Sequence, residues 1–314
     1  MSKSVSTKKV LSISFLVDLL DVIINITIAV ITGSTVMLAE ALQGMADLTS
    51  VGMLLIGFRN SKRRSNKQHP FGYGKEQYFW ALMAVFLIIA VTSTLSFYSG
   101  LQRWMHPETI NHLWVAYAAL IISVFSNGYA SILSLRKVLG TQKIGRLKSE
   151  FIESSDITPR ITLVLDAGGT LAAAFGLITL AIYGTTQNSK FDGLGAMLIG
   201  ITLLIMALVL LATTKSLVTG KSASSKTKRA IAQAAMKIPQ VNNVLDLRTM
   251  VMGPDNVLIN IKVHLQDDLS TDQIEQVIDD IKENIRRDLD GKAHISVEPE
   301  TPPKKRINFK RAKK

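Results

Sequence analysis

Four carboxylic acids stand where an acid is hardest to keep. Asp18 and Asp21, Asp47, and Asp166 each fall inside a long apolar run. An acid at the centre of a membrane-crossing helix costs about 2.5–3.5 kcal/mol on insertion scales, so such residues persist mainly where they carry function. At about 100° per residue, Asp18, Asp21 and Asn25 lie within about 60° of one another and form one polar stripe. Gln43 and Asp47 are spaced by one helical turn and share a face, as do Thr162 and Asp166. No Lys or Arg lies in the apolar part of any run to neutralise them. Carboxylates gathered in low dielectric need protons or metal ions to be tolerated, so the expected chemistry is cation binding. The competing reading makes them structural, paired with basic groups or capping helix ends. It has most weight for Asp166, which is a couple of turns from the helix start expected at Asp156 to Pro159.

The elements that must position these acids are long helices. The chain has 314 residues, 47% hydrophobic and only 19% charged, and the apolar excess is concentrated between about Val10 and Leu211. Six spans are expected, at residues 10–32, 38–58, 78–100, 112–134, 160–183 and 192–213, each near the length that crosses about 30 Å of hydrocarbon. The first lacks a small-residue cleavage site and reads as a retained span rather than a signal peptide. Lys3, Lys8 and Lys9 precede the first span. Arg59, Lys62, Arg63, Arg64, Lys67 and Lys75 fill the second loop, and Arg136, Lys137, Lys143, Arg146, Lys148 and Arg160 the fourth. The opposite side has Arg103 and Lys190. Because basic residues accumulate on the cytoplasmic side, both termini are expected there. The net charge of +12 thus serves topology and contact with anionic lipid rather than nucleic acid.

From Lys221 the solvent regime changes. Ser225 to Lys237 suits a helix, and Val244 to Met252 a strand. The turn Gly253-Pro254-Asp255-Asn256 leads into an alternating strand, Val257 to Leu265. Ser270 is placed to cap a helix to about Leu289, and His294 to Glu298 gives a last strand. The expected fold is therefore α-helical in the membrane, residues 1–219, followed by a small α+β domain of order α-β-β-α-β, residues 220–301. The basic tail, residues 302–314, is expected to be disordered, near headgroups or simply solvated.

These residues resemble the cation diffusion facilitators, a family that includes zinc transporters. The segment from Gly33 to Asp47 looks like that family's first loop and second helix. The run His69-Pro70-Phe71-Gly72-Tyr73-Gly74-Lys75-Glu76 looks like its second-to-third-helix loop, a rather specific motif. Phe191-Asp192-Gly193, Gly220-Lys221-Ser222-Ala223 and Glu298-Pro299 also fit, so the resemblance covers nearly the whole chain and makes the small domain ferredoxin-like and cytoplasmic. It implies efflux of a divalent cation by a homodimer in the plasma membrane, in exchange for protons and by alternating access, with no cofactor besides the transported ion. The site it implies is one pair on the second helix, here Gln43 with Asp47, and one on the fifth, here Thr162 with Asp166. Gln43 stands where His, Asp or Asn is common, and Thr162 where His or Asp is common. Leu165 replaces a Glu found in many similar members.

Those departures point to oxygen chemistry. Zinc favours nitrogen and sulfur donors, whereas carboxylate, amide and hydroxyl oxygens suit manganese, magnesium or ferrous iron. No His falls in the interior of a span, and the chain has no Cys. Asp18 and Asp21, additions on the first helix, are expected to complete an all-oxygen site with Gln43, Asp47 and Asp166, and crowded acids there would take up protons as the metal leaves. Lys75 and Glu76 resemble residues at a dimer interface but equally suit a solvated loop. His264 and His294 invite a regulatory metal or are simple surface residues. The alternative function is a transport-inactive paralogue acting as dimer partner or scaffold. No nucleophile-and-base arrangement or phosphate loop suggests an enzyme.

Overall fold

A computed structural model describes residues 7–139, 145, 158–253, 256–289 and 292–302. The tail from residue 303, Lys3, most of the fourth loop, and Pro254 and Asp255 of the expected turn lie outside the described residues. The chain divides into two compact units, Met1–Thr219 and Gly220–Lys314.

The first unit contains α1 (Thr7–Thr32), α2 (Thr35–Ser61), α3 (Glu76–Met105), α4 (Leu113–Leu139), α5 (Thr158–Thr186) and α6 (Lys190–Val218). Among the described residues these six helices are long and apolar enough to cross a membrane. Only such self-satisfied helices, or closed barrels, keep their backbone groups bonded inside hydrocarbon. Most of the six run a few residues beyond the ends expected from hydropathy, and α4 reaches Leu139, which puts Arg136 and Lys137 in its last turn. In α3 the regular pattern is interrupted by a π-helical turn, Ile88–Ser93. Gly33, at φ +66°, makes the tight break between α1 and α2 that a side-chain-bearing residue rarely adopts.

Helices α3 and α6 meet backbone to backbone. A Cβ on Gly193 would stand 2.6 Å from the Gly100 carbonyl, and one on Gly200 would stand 2.7 Å from the Phe97 nitrogen. Ser93 and Ser96 of α3 donate across the gap to the carbonyls of Gly200 (2.9 Å) and Ala196 (3.0 Å). Small residues at the contact and hydroxyls as glue are how helices associate where lipid removes the hydrophobic drive.

The N-terminus of α2 is anchored by an acid from α6. The fully buried Asp192 carboxylate accepts from Ser34 Oγ (2.6 Å), the Thr35 amide (2.8 Å), Thr35 Oγ1 (2.8 Å) and the Val36 amide (3.0 Å). Arg103 Nε lies 3.6 Å from the same carboxylate. Arg103 also donates to the Glu108 carbonyl at 2.9 Å and to the Gly33 carbonyl. Its charge, expected in the loop opposite the basic side, is therefore buried as a structural partner. A negative charge at a helix N-terminus satisfies its free N–H groups and complements its dipole.

The second unit has α7 (Ser225–Met236), β1 (Val241–Gly253), β2 (Asn256–Leu265), α8 (Thr271–Asp288) and β3 (Lys292–Pro299). The sheet order is β1-β2-β3, with β1 antiparallel and β3 parallel to β2. The parallel pair requires a crossover, which α8 supplies. Ser270 and Gln273 form the reciprocal cap that starts α8. Ile231, Ala234 and Ala235 of α7 and Val277, Ile281 and Ile285 of α8 share one core with Ile259, Ile261 and Val263 of β2. The strand register places His264 opposite Asn243 and His294 opposite Leu258. Six residues of strand, about 20 Å, therefore separate the two histidines, so they do not share one metal. Glu76 accepts from Trp80 Nε1 (2.8 Å) and Asn60 Nδ2 (3.4 Å) of its own chain.

Replacing Asp192 with Ala strips the α2 amides and the buried Arg103 of their common partner, and is expected to destabilise the unit by about 3–5 kcal/mol. Thermal unfolding of the detergent-solubilised variant measures this. An unchanged midpoint would mean that the anchor contributes nothing.

Candidate metal site

One face of α2 carries the site. Glu40, Gln43, Gly44 and Asp47 recur at the i, i+3, i+4, i+7 spacing that lines up residues along a helix. Gln43 is buried, and its Nε2 donates to both carboxylate oxygens of Asp47, at 3.2 and 3.1 Å. The amide thus lies against the carboxylate as a cation would, with its positive edge toward the negative group. Its own oxygen, Oε1, has no hydrogen-bond partner among the described residues.

Helix α1 crosses this stripe at Gly44. A Cβ there would stand 3.2 Å from Asp21 Oδ2 and 3.0 Å from Val22 Cγ2, so glycine lets the two helices approach without pushing those side chains aside. Asp21 accepts from Asn25 Nδ2 at 3.0 Å, one turn along the polar stripe on α1. Asp18 is half-buried on the same helix and is close enough to act electrostatically on Asp47, as it is acted on by Asp21 and Asp166.

The third contribution is from α5. Asp166 is half-buried, within electrostatic reach of Asp47, and accepts a 2.6 Å hydrogen bond from Ser134 Oγ of α4. Lys137, one turn further along α4, acts on it electrostatically. Thr162 is half-buried one turn before Asp166. Among the described residues, none of Asp18, Asp21, Asp47 and Asp166 forms an ion pair with Lys, Arg or His. No three acidic or imidazole side chains among the described residues lie close enough together to hold a metal as they stand. The carboxylates thus come from three helices and influence one another, but they are not drawn into one coordination shell in this arrangement.

Several residues here escaped the reading of the sequence. Glu40 is a fifth acid, 3% exposed, with Oε1 unpartnered among the described residues and Asp21 acting on it electrostatically. It completes the α2 stripe, and the spacing from Gln43 and Asp47 was the available signal. Ser134 and Asn127 on α4 are neutral and carry no hydropathy penalty that would mark them.

Comparison with known proteins bears on what such an arrangement does. Residues 11–217 match the family model described as the cation efflux transmembrane domain, and residues 223–301 that of the cation efflux protein cytoplasmic domain. A proton-coupled zinc antiporter, mitochondrial SLC30A9 of Xenopus laevis, is 24% identical over 81% of this chain and 46% of its own length. Metal tolerance protein C4 of Arabidopsis thaliana is 23% identical over 71% of this chain and 49% of its own. The cation-efflux pump FieF of Pectobacterium atrosepticum is 24% identical over 83% of this chain and 81% of its own. The chain thus spans about half the length of the zinc antiporters and of the plant protein that it matches.

A double-mutant cycle tests the Gln43–Asp47 clamp itself. Gln43→Leu and Asp47→Leu are expected to be less destabilising together than the sum of the two singles, with a coupling of about 0.5–1.5 kcal/mol, the contribution of an intramolecular hydrogen bond. Strictly additive unfolding energies would mean that the two side chains do not interact.

Proposed function

The chain belongs to the cation efflux family, and on that premise we propose that it exports a divalent metal cation across a membrane in exchange for protons. The observation that carries the proposal is the pair Asp47 and Asp166, on different helices and within electrostatic reach, each held by a neutral donor, Gln43 and Ser134. Acids inside a membrane that lack basic partners mark ion pathways and proton relays.

In this account the cation displaces the Gln43 amide from Asp47. Rotation of that amide then turns Oε1, which has no hydrogen-bond partner among the described residues, toward the ion. Asp166 closes from α5, Asp18 and Asp21 add negative charge from α1, and Thr162 offers a hydroxyl one turn away. The carboxylates take up protons when the cation leaves, so that they never face hydrocarbon uncompensated. Movement of α1 and α2 against α4 and α5 would open the site to either side in turn, as in other transporters whose site is near the bilayer midplane. The donors are oxygens, which suits manganese, ferrous iron or magnesium as well as zinc. The protein acts as a homodimer, as its cytoplasmic-domain family supports, and we place it in the plasma membrane with both termini cytoplasmic, the basic loops favouring that orientation. No enzymatic step is part of this reading.

Flux into proteoliposomes tests it across a panel of manganese, iron, magnesium and zinc salts. An acidic lumen is expected to speed metal entry, collapse of the pH gradient to slow it, and Asp47→Asn to abolish it. Rates indifferent to the gradient would contradict proton exchange. A folded wild type that moves none of the metals would favour the transport-inactive scaffold.

A further inference from the structure

Helix α4 is outside the two-helix pattern of the pairs on α2 and α5, yet it presents a polar face to the site. Asn127 and Ser134 are two turns apart on α4 and so share a face. Ser134 reaches Asp166, as described, while Asn127 sits beside Gly169, one turn further along α5. A Cβ on Gly169 would stand 3.0 Å from Asn127 Nδ2, 3.2 Å from Asn127 Cγ, and 3.5 Å from Gln43 Nε2. The missing side chain of Gly169 therefore leaves a notch that two amides from two other helices enter. Asn127 makes no hydrogen bond among the described residues, and Gln43 Oε1 is buried without a partner. Both amides present their nitrogens to the notch; Asn127 is half-buried there, whereas the buried Gln43 Oε1 is the atom left unfinished, because a buried polar atom without a partner costs about 1–3 kcal/mol.

We propose that Asn127 is a specificity-determining residue of the transport site, its amide turning beside that of Gln43 at the Gly169 notch so that both oxygens meet the cation and favour hard, oxygen-seeking divalent ions over zinc. The inference rests on the transport reading above and adds to it a third helix and a selectivity role. Amide oxygens are hard, neutral donors that suit manganese or magnesium, whereas zinc gains more from imidazole nitrogen. Gly169 belongs to the same device, since a Cβ there would stand 3.0 Å from Asn127 Nδ2 and press on that amide. Ser134 holds Asp166 two turns along the same face, so α4 meets α5 both at that carboxylate and at the notch.

The test is the ratio of manganese to zinc KM in proteoliposome flux, with manganese binding to the detergent-solubilised protein as a second readout. Asn127→Leu is expected to raise the manganese KM about tenfold with little change for zinc. Asn127→His is expected to lower the zinc KM, and Gly169→Ala, which leaves Asn127 chemically intact, to shift the ratio in the same direction as Asn127→Leu. A wild-type ratio in a folded Asn127→Leu protein, or in Gly169→Ala should that variant alone fold, overturns the assignment. Asp47→Asn distinguishes this from failure of the underlying reading: if it still transports, the site is elsewhere. If it is inactive while Asn127→Leu keeps the wild-type ratio, only the role of Asn127 falls.

Discussion

Everything in the membrane unit depends on keeping carboxylates in hydrocarbon without basic partners. An isolated buried charge is intolerable, so each acid must find a donor, a proton or a cation. The chain meets this with neutral donors: the Gln43 amide across Asp47, the Ser134 hydroxyl on Asp166, and the Asn25 amide on Asp21. Neutral donors stabilise an ionised acid less than an arginine would. They also give way more readily to an incoming ion, which a permanent ion pair would exclude.

The treatment of Asp192 is the opposite. That carboxylate has four donors at the start of α2 and Arg103 beside it. Nothing is left for a ligand, and the acid serves as an anchor. The serine- and glycine-lined crossing of α3 and α6 gives the same region a close backbone contact. Rigid anchoring at one end of α2 and exchangeable bonds at Gln43 and Asp47, two turns and more along it, are what a helix needs if it is to carry an ion site and still rock against its neighbours.

Much of this was legible in the sequence, and for identifiable reasons. Six spans followed from runs of apolar length that no soluble helix requires, and the order of the small domain from the change of period near Lys221 and the capping residue Ser270. The stripes on α1 and α2 followed from spacing alone. Glu40 was missed because it stands near the start of its span, where an acid is easily taken for an interfacial residue. Arg103 was taken for a loop charge because its burial depends on Asp192, far away in sequence. The contributions of Asn127 and Ser134 arise only when α4 is laid against α5, since an amide or hydroxyl in an apolar run carries no signal until its neighbours on other helices are known.

The central claim is that Asp47 and Asp166 bind one divalent cation jointly. Equilibrium dialysis of the purified protein against manganese, with the bound metal counted per chain, measures this directly. The account predicts that Asp47→Asn and Asp166→Asn each remove the same single membrane-embedded ion. Retention of that ion in either variant, or loss of two separate ions, one per variant, would contradict it.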